Sequence, residues 1–326
     1  MSALRKVGKR GVEEPSTPAQ EDAKVKELRA RLGPLTGRSL QYATDSCLKR
    51  YLRARSWNLK KAEKMIRESL TWRATYKPEE ICWKDIATEA ETGKVYRANF
   101  LDKQGHPVLV MHPGRQNTSM REGQIKHLVY SMENAVLNLP PGQEEMVWLV
   151  DFKGWTINKA VPLKTVQETA YVLQTHYPER LSVGILYNPP HIFETFYTLV
   201  KPFLDPRTAR KVKFVYSDDA ESMKVLDVLF DKDKVDASLA DDDFDLAEYA
   251  KLMQSDDEKA AVTWNLRGNG GGADTPRPIP NLSTLKLDTV DSMSVSKGIG
   301  SNLKNPDTDS KEEMIHKPLT YENSLP

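Results

Sequence analysis

The chain has 326 residues, a formal net charge of +1 and 39% hydrophobic content, enough to bury one sizeable core or a core plus a small accessory unit. Near-neutral charge argues against nucleic-acid binding, for which only the short basic stretches "RKVGKR" and "LKRYLRAR" speak. Cys47 and Cys82 are the only cysteines, too few for a disulfide framework or a four-ligand zinc site, so no metal is expected and a reducing, cytoplasmic setting fits.

In chain order, residues 1–20 mix proline, serine and basic groups without periodicity and predict a disordered basic tail with no signal-peptide core. Residues 21–80 predict a small helical unit. "EDAKVKELRARL" and "DSCLKRYLRARSW" place apolar groups at i, i+3 and i+4, with Asp45 positioned to cap the second helix, and Asn58 opens a third in "NLKKAEKMIRESLTWRATY". No window approaches the ~18 apolar residues of a membrane span, so membrane contact is expected to be peripheral.

Residues 81–250 predict an α/β lobe. "PVLVMH" (107–112), "MVWLVDF" (146–152), "LSVGILY" (181–187) and "KVKFVYS" (211–217) are apolar on both faces, as strands of a covered sheet must be. Helical segments near 122–139, 160–176, 190–204 and 219–230 alternate with them, which predicts a mainly parallel sheet with right-handed crossovers. The run "DKDKVDASLADDDFD" lacks the glycine and glutamate of a calcium loop and predicts a solvated acidic loop. Residues 265–326, rich in Gly, Pro, Ser and Asp, predict a second disordered tail, whose "GNGGG" does not fit a phosphate loop.

The segment "NPPHIFETFYTLVKPFLDP" carries an apolar stripe of Ile192, Phe193, Phe196, Tyr197, Leu199, Val200 and Phe203, bounded by Pro189, Pro190 and Pro202. An ordinary core helix explains such a stripe; so does a helix that lines an apolar cavity and swings as a unit. After it, Asp205-Pro206 starts a short helical segment with Thr208 in its first turn, where free N–H groups attract anions, and Lys211 one turn later. Glu179 and Arg180, where a strand begins, read equally well as an edge salt bridge.

"LKRYLRARSW", "HYPERL", "YNPP" and "VKPFLDPRTARKVKFV" resemble the CRAL-TRIO lipid-transfer family, in particular its phosphatidylinositol-transfer branch, and "PEEICWKDIATEAETGKVYR" and "MENAVLNLPPG" resemble its plant members. The resemblance covers residues from about 40 to 235. It implies a helical N-terminal unit followed by an α/β lobe with a deep apolar lipid pocket gated by a helix, here 190–203. The family's headgroup residues fall on Arg55, Glu179, Thr208 and Lys211. A phosphodiester needs a cation and donors, and a carboxylate accepts from inositol hydroxyls.

Two departures matter. Ser56 stands where lysine is common. Met146 and Trp148 stand where members that hold phosphatidylcholine carry small hydroxyl residues, so both are expected to narrow the pocket from one face of a strand. The resemblance thus implies a monomeric, non-enzymatic carrier without cofactor. Its cargo would be phosphatidylinositol, with phosphatidylcholine or another hydrophobe as further candidates, and its partners a membrane surface, met transiently, and a lipid kinase.

Competing classes lack their residues. No GxSxG elbow serves a hydrolase, and no strand is followed by the GxGxxG of a dinucleotide-binding enzyme. The rival that stays open lies within the fold: a carrier or sensor of a tocopherol-, retinoid- or sterol-like molecule, which does not need Arg55, Glu179 and Lys211 together.

Overall fold

The computed structural model describes residues 17–240 and 244–265. Most of the expected N-terminal tail, the whole C-terminal tail beyond Asn265 and the acidic residues 241–243 lie outside these.

The N-terminal unit contains α1 (Pro18–Leu32), α2 (Gly37–Tyr42), α3 (Asp45–Ala54) and α4 (Leu59–Tyr76). The expected tail yields to helix three residues early. The Thr17 hydroxyl accepts from the Gln20 N–H while the Gln20 side chain accepts from the Thr17 N–H, a reciprocal cap that starts α1 at Pro18. Asp45 is not the cap of α3. That role belongs to Thr44, whose hydroxyl accepts from the Cys47 N–H, and Asp45 instead pairs with Arg29 of α1 at 2.6 Å. Asn58 does cap α4. Leu28, Leu48, Tyr51, Leu52 and Ile66 interlock beneath these helices in a core of their own.

After α5 (Trp83–Ala90) comes a five-stranded sheet in sequential order: β1 (Val95–Leu101), β2 (Pro107–Met111), β3 (Met146–Asp151), β4 (Leu181–Tyr187) and β5 (Val212–Val215). β2 to β5 are parallel, and β1 adds an antiparallel edge that the apolar-run reading missed. Its signal is alternation: Tyr96, Ala98 and Phe100 are buried while Arg97, Asn99 and Leu101 are not. The connecting helices are α6 (Arg121–Leu137), α7 (Leu163–His176), α8 (His191–Val200), α9 (Pro206–Lys211) and α10 (Ala220–Leu229).

Two further helices correct the reading of the C-terminal part. Residues expected as an acidic loop form α11 (Lys232–Leu239), because Val235 buries itself in the cluster that holds Phe100 and Phe230. The lobe also runs past residue 250 through α12 (Leu246–Thr263). Asp256 anchors that helix, accepting from Arg97 at 2.7 Å and from Asn134 and Asn138 at 2.9 Å each, and Met253 packs with Trp83 and Tyr130. Among the described residues no helix is long and apolar enough to cross a membrane.

Candidate functional site

One face of β3 and β4 opens onto a cavity of about 500 Å³, walled by α7 and α8 and closed at one end by the last residues of α3. Strand alternation builds the wall. Val147, Leu149 and Ile185 point into the core on the far side of the sheet, so Trp148, Val150, Gly184 and Leu186 face the cavity, opposite Val166, Ala170 and Leu173 of α7. The lining is therefore apolar over most of its extent, which suits a hydrocarbon ligand.

α8 forms part of that lining through Phe193 and Tyr197. Phe193 packs on Phe152 at 4.4 Å between ring centroids and meets Trp155 edge-on at 6.0 Å; Tyr197 meets Phe214 at 5.3 Å. At the helix surface, the Tyr216 hydroxyl donates to Glu194. Ile192, expected on the inner face, is 54% exposed and does not line the cavity, because it stands about 100° round the helix from Phe193, which with Tyr197 turns inward. The side chains of Phe196, Val200 and Phe203 lie outside the described residues.

Met146 also departs from expectation. It is fully buried and absent from the cavity wall, although it shares a strand face with Trp148. It is the first residue of β3, where its N–H donates to the Arg180 carbonyl and the register with β4 shifts, so the incoming chain covers it before the cavity begins. Of the two, Trp148 alone lines the cavity.

The four residues carried over for a headgroup, Arg55, Glu179, Thr208 and Lys211, all line this one cavity. Arg55 is the residue that closes α3, Glu179 sits in the turn between α7 and β4, and Thr208 and Lys211 lie on α9. The Arg55 guanidinium donates to the Ala54 carbonyl at 3.0 Å and, among the described residues, has no carboxylate within ion-pair distance. Burial pulls its pKa down, against the opposing charge of Asp205. Lys211 is better supplied, with Glu145 at 2.8 Å and the Leu181 carbonyl.

Glu179 pairs with Arg207 at 3.3 Å and not with its neighbour Arg180. Arg180 donates instead to the Glu144 carbonyl at 2.8 Å, and burial, reinforced by Arg50, pushes its pKa down to about 10. Both Arg180 and Arg207 line the cavity, and neither was singled out as a site residue from sequence. α9 has only six residues, and the Asp205 carboxylate takes the Arg207 N–H at 2.8 Å, so anion affinity at this end rests on side chains.

Deeper in the wall, the Tyr177 hydroxyl donates to Glu133 at 2.7 Å, and Glu133 is gripped by Arg73 of α4 at 2.7 Å. Burial raises the Glu133 pKa, but Arg73 and Tyr177 outweigh it and leave the carboxyl below its ordinary value. This buried network joins the N-terminal helices to the cavity wall.

Residues 90–239 match the CRAL/TRIO domain and residues 24–68 the CRAL/TRIO N-terminal domain. The SEC14 cytosolic factor of Candida glabrata is 34% identical over 221 residues, an alignment covering 61% of this chain and 72% of that protein. The chain belongs to the CRAL-TRIO family. Two other relatives are longer than the shared part: the phosphatidylinositol transfer protein PDR17 of Saccharomyces cerevisiae, 37% identical over 56% of this chain and 55% of its own length, and a CRAL-TRIO domain-containing protein of Schizosaccharomyces pombe, 38% identical over 53% of this chain and 17% of its own. The crystal structure of Sfh5 shares the CRAL-TRIO fold, with a TM-score of 0.52 and 18% identity over 70% of this chain and 85% of that one.

Proposed function

We propose that this CRAL-TRIO chain binds one phosphatidylinositol molecule in the cavity and moves it between membranes or presents it to a lipid kinase. The observation that carries the reading is the meeting of an apolar cavity with Arg55, a partly buried cation that has no carboxylate partner among the described residues, at the end where Glu179, Thr208 and Lys211 also converge. A partly buried cation whose nearest carboxylates stand beyond ion-pair distance is costly until an anion completes it. A phosphodiester at the end of two hydrocarbon chains supplies that anion where the wall turns polar.

The relatives named for phosphatidylinositol transfer support the same cargo. Burial of acyl chains at ~0.8 kcal/mol per CH₂ roughly offsets their removal from the bilayer, so exchange is close to reversible and needs no ATP. The chain acts as a carrier and meets the membrane surface transiently through the α8 side of the cavity. A catalytic reading finds little chemistry: Ser69 lies 2.9 Å from His176 Nδ1, but it is fully buried, also donates to the Thr175 carbonyl, and does not line the cavity.

Transfer of labelled phosphatidylinositol from donor to acceptor vesicles tests the proposal. Transfer without ATP supports it. A sterol-, retinoid- or tocopherol-like hydrophobe carried in place of phosphatidylinositol supports the rival reading.

A further inference from the structure

Arg207 lines the cavity next to Thr208, and its guanidinium bridges segments far apart in the chain. Nη1 donates to the Arg53 carbonyl at the end of α3 and lies 3.3 Å from Glu179 Oε1, while Nε is 3.5 Å from Asp205 Oδ1. Both carboxylate distances exceed the 2.7–2.9 Å or so of a well-formed charge-assisted bond. A guanidinium carries five N–H donors, so capacity remains for another acceptor. Glu179 itself is held at φ 56°, in the left-handed region that a residue with a Cβ adopts only at a cost. A carboxylate carried on a strained backbone and a loosely paired guanidinium thus face each other on the cavity wall, with Arg55 and Lys211 lining the same cavity.

We propose that Arg207 is a headgroup-selecting residue. It balances Glu179 until an inositol phospholipid enters; the ring hydroxyls then donate to Glu179 and the guanidinium turns to the phosphodiester. A choline headgroup has no hydroxyl to give Glu179 and brings a quaternary ammonium towards Arg207. Arg207 therefore raises the ratio of inositol lipid to choline lipid in the cavity. This inference rests on the phosphatidylinositol reading above.

The test uses the full chain as wild type, Arg207→Gln, Arg207→Lys, Glu179→Gln and the Glu179→Gln/Arg207→Gln double variant. Each is equilibrated with vesicles holding equal phosphatidylinositol and phosphatidylcholine, and bound lipid is weighed by native mass spectrometry beside a melting curve. Arg207→Gln is expected to lower the bound inositol-to-choline ratio ~10-fold, since both lipids lose the phosphodiester contact but only the choline lipid is relieved of a like-charge repulsion. Arg207→Lys keeps the charge without the fork and is expected to fall between the two. In the Glu179→Gln background, Arg207→Gln is expected to lower the ratio again, since the repulsion between the guanidinium and the choline ammonium does not depend on Glu179. An unchanged ratio in Arg207→Gln overturns the proposal. So does loss of both lipids in parallel with a lower melting temperature, which marks Arg207 as a tether to Arg53. An effect that vanishes in the Glu179→Gln background reduces Arg207 to a counter-charge and also overturns it. A wild-type chain that takes up phosphatidylcholine and no phosphatidylinositol overturns the parent reading and this one with it; the other outcomes overturn this one alone.

Discussion

Replacing Arg55 with leucine is expected to separate binding from stability. Among the described residues its guanidinium makes one hydrogen bond, to the Ala54 carbonyl, and burial already disfavours its charge, so the fold loses little when the guanidinium is removed. A change within ~0.5 kcal/mol is expected, as for substitutions that break no network. Binding behaves differently. If Arg55 completes a phosphodiester, the variant forgoes a hydrogen bond between charged groups worth about 1.5–3 kcal/mol, which corresponds to ~10–150-fold in phosphatidylinositol affinity. Adding Lys211→Ala is expected to abolish transfer while costing at most ~1 kcal/mol, since Lys211 and Glu145 are each about one-third exposed. Vesicle transfer measured beside urea unfolding reads both quantities. Unchanged transfer, or a stability loss of ~2 kcal/mol or more from Arg55→Leu alone, refutes the reasoning.

Met146→Ala is expected to cost ~2–5 kcal/mol in urea unfolding without altering which lipid is bound, because the side chain is fully buried away from the cavity. Trp148→Thr, which enlarges the cavity beside the sheet, is expected to raise phosphatidylcholine uptake from mixed vesicles. Phe193→Ala removes the ring that packs on Phe152 and Trp155 and is expected to shorten the lifetime of bound lipid, read as faster loss to empty acceptor vesicles. His127 and His176 bear on pH. Burial, aided by Lys94 and by Arg73 respectively, pulls each down to about 3. The unfolded chain protonates them near 6.5 while the folded chain does not, so their contribution is present above about pH 6.5 and is lost at about 1.4 kcal/mol per pH unit per histidine as pH falls towards 3. His176→Gln is expected to flatten the stability profile between pH 6 and 4, roughly halving the histidine share of the slope.

The parallel strands were legible because a sheet covered on both faces demands uninterrupted apolar runs, as in "MVWLVDF" and "LSVGILY". β1 escaped the same test: with one buried face it shows only alternation, and Arg97 and Asn99 on the other face disguise it. α12 escaped because its anchor is Asp256, a residue that reads as solvated until Arg97, Asn134 and Asn138 converge on it from two other elements. In the cavity, the motif residues Arg55, Glu179, Thr208 and Lys211 could be carried over one by one, and they do line one space. Arg207 could not be distinguished within the charged run "DPRTARK", since its partner Glu179 lies in another turn and Arg53 in another unit. Met146 misled for the opposite reason. Strand alternation says which face a residue shares, but not where along the strand a cavity begins.

The most direct measurement is the identity of lipid carried by the full chain, purified without detergent after equilibration with vesicles of mixed phospholipid and sterol, and weighed by native mass spectrometry. The expected result is one phosphatidylinositol per chain, lost on replacing Arg55 and Lys211 together while the melting temperature falls by no more than about 5 °C. A sterol or other uncharged hydrophobe in its place, retained by the double variant, contradicts the phosphatidylinositol reading.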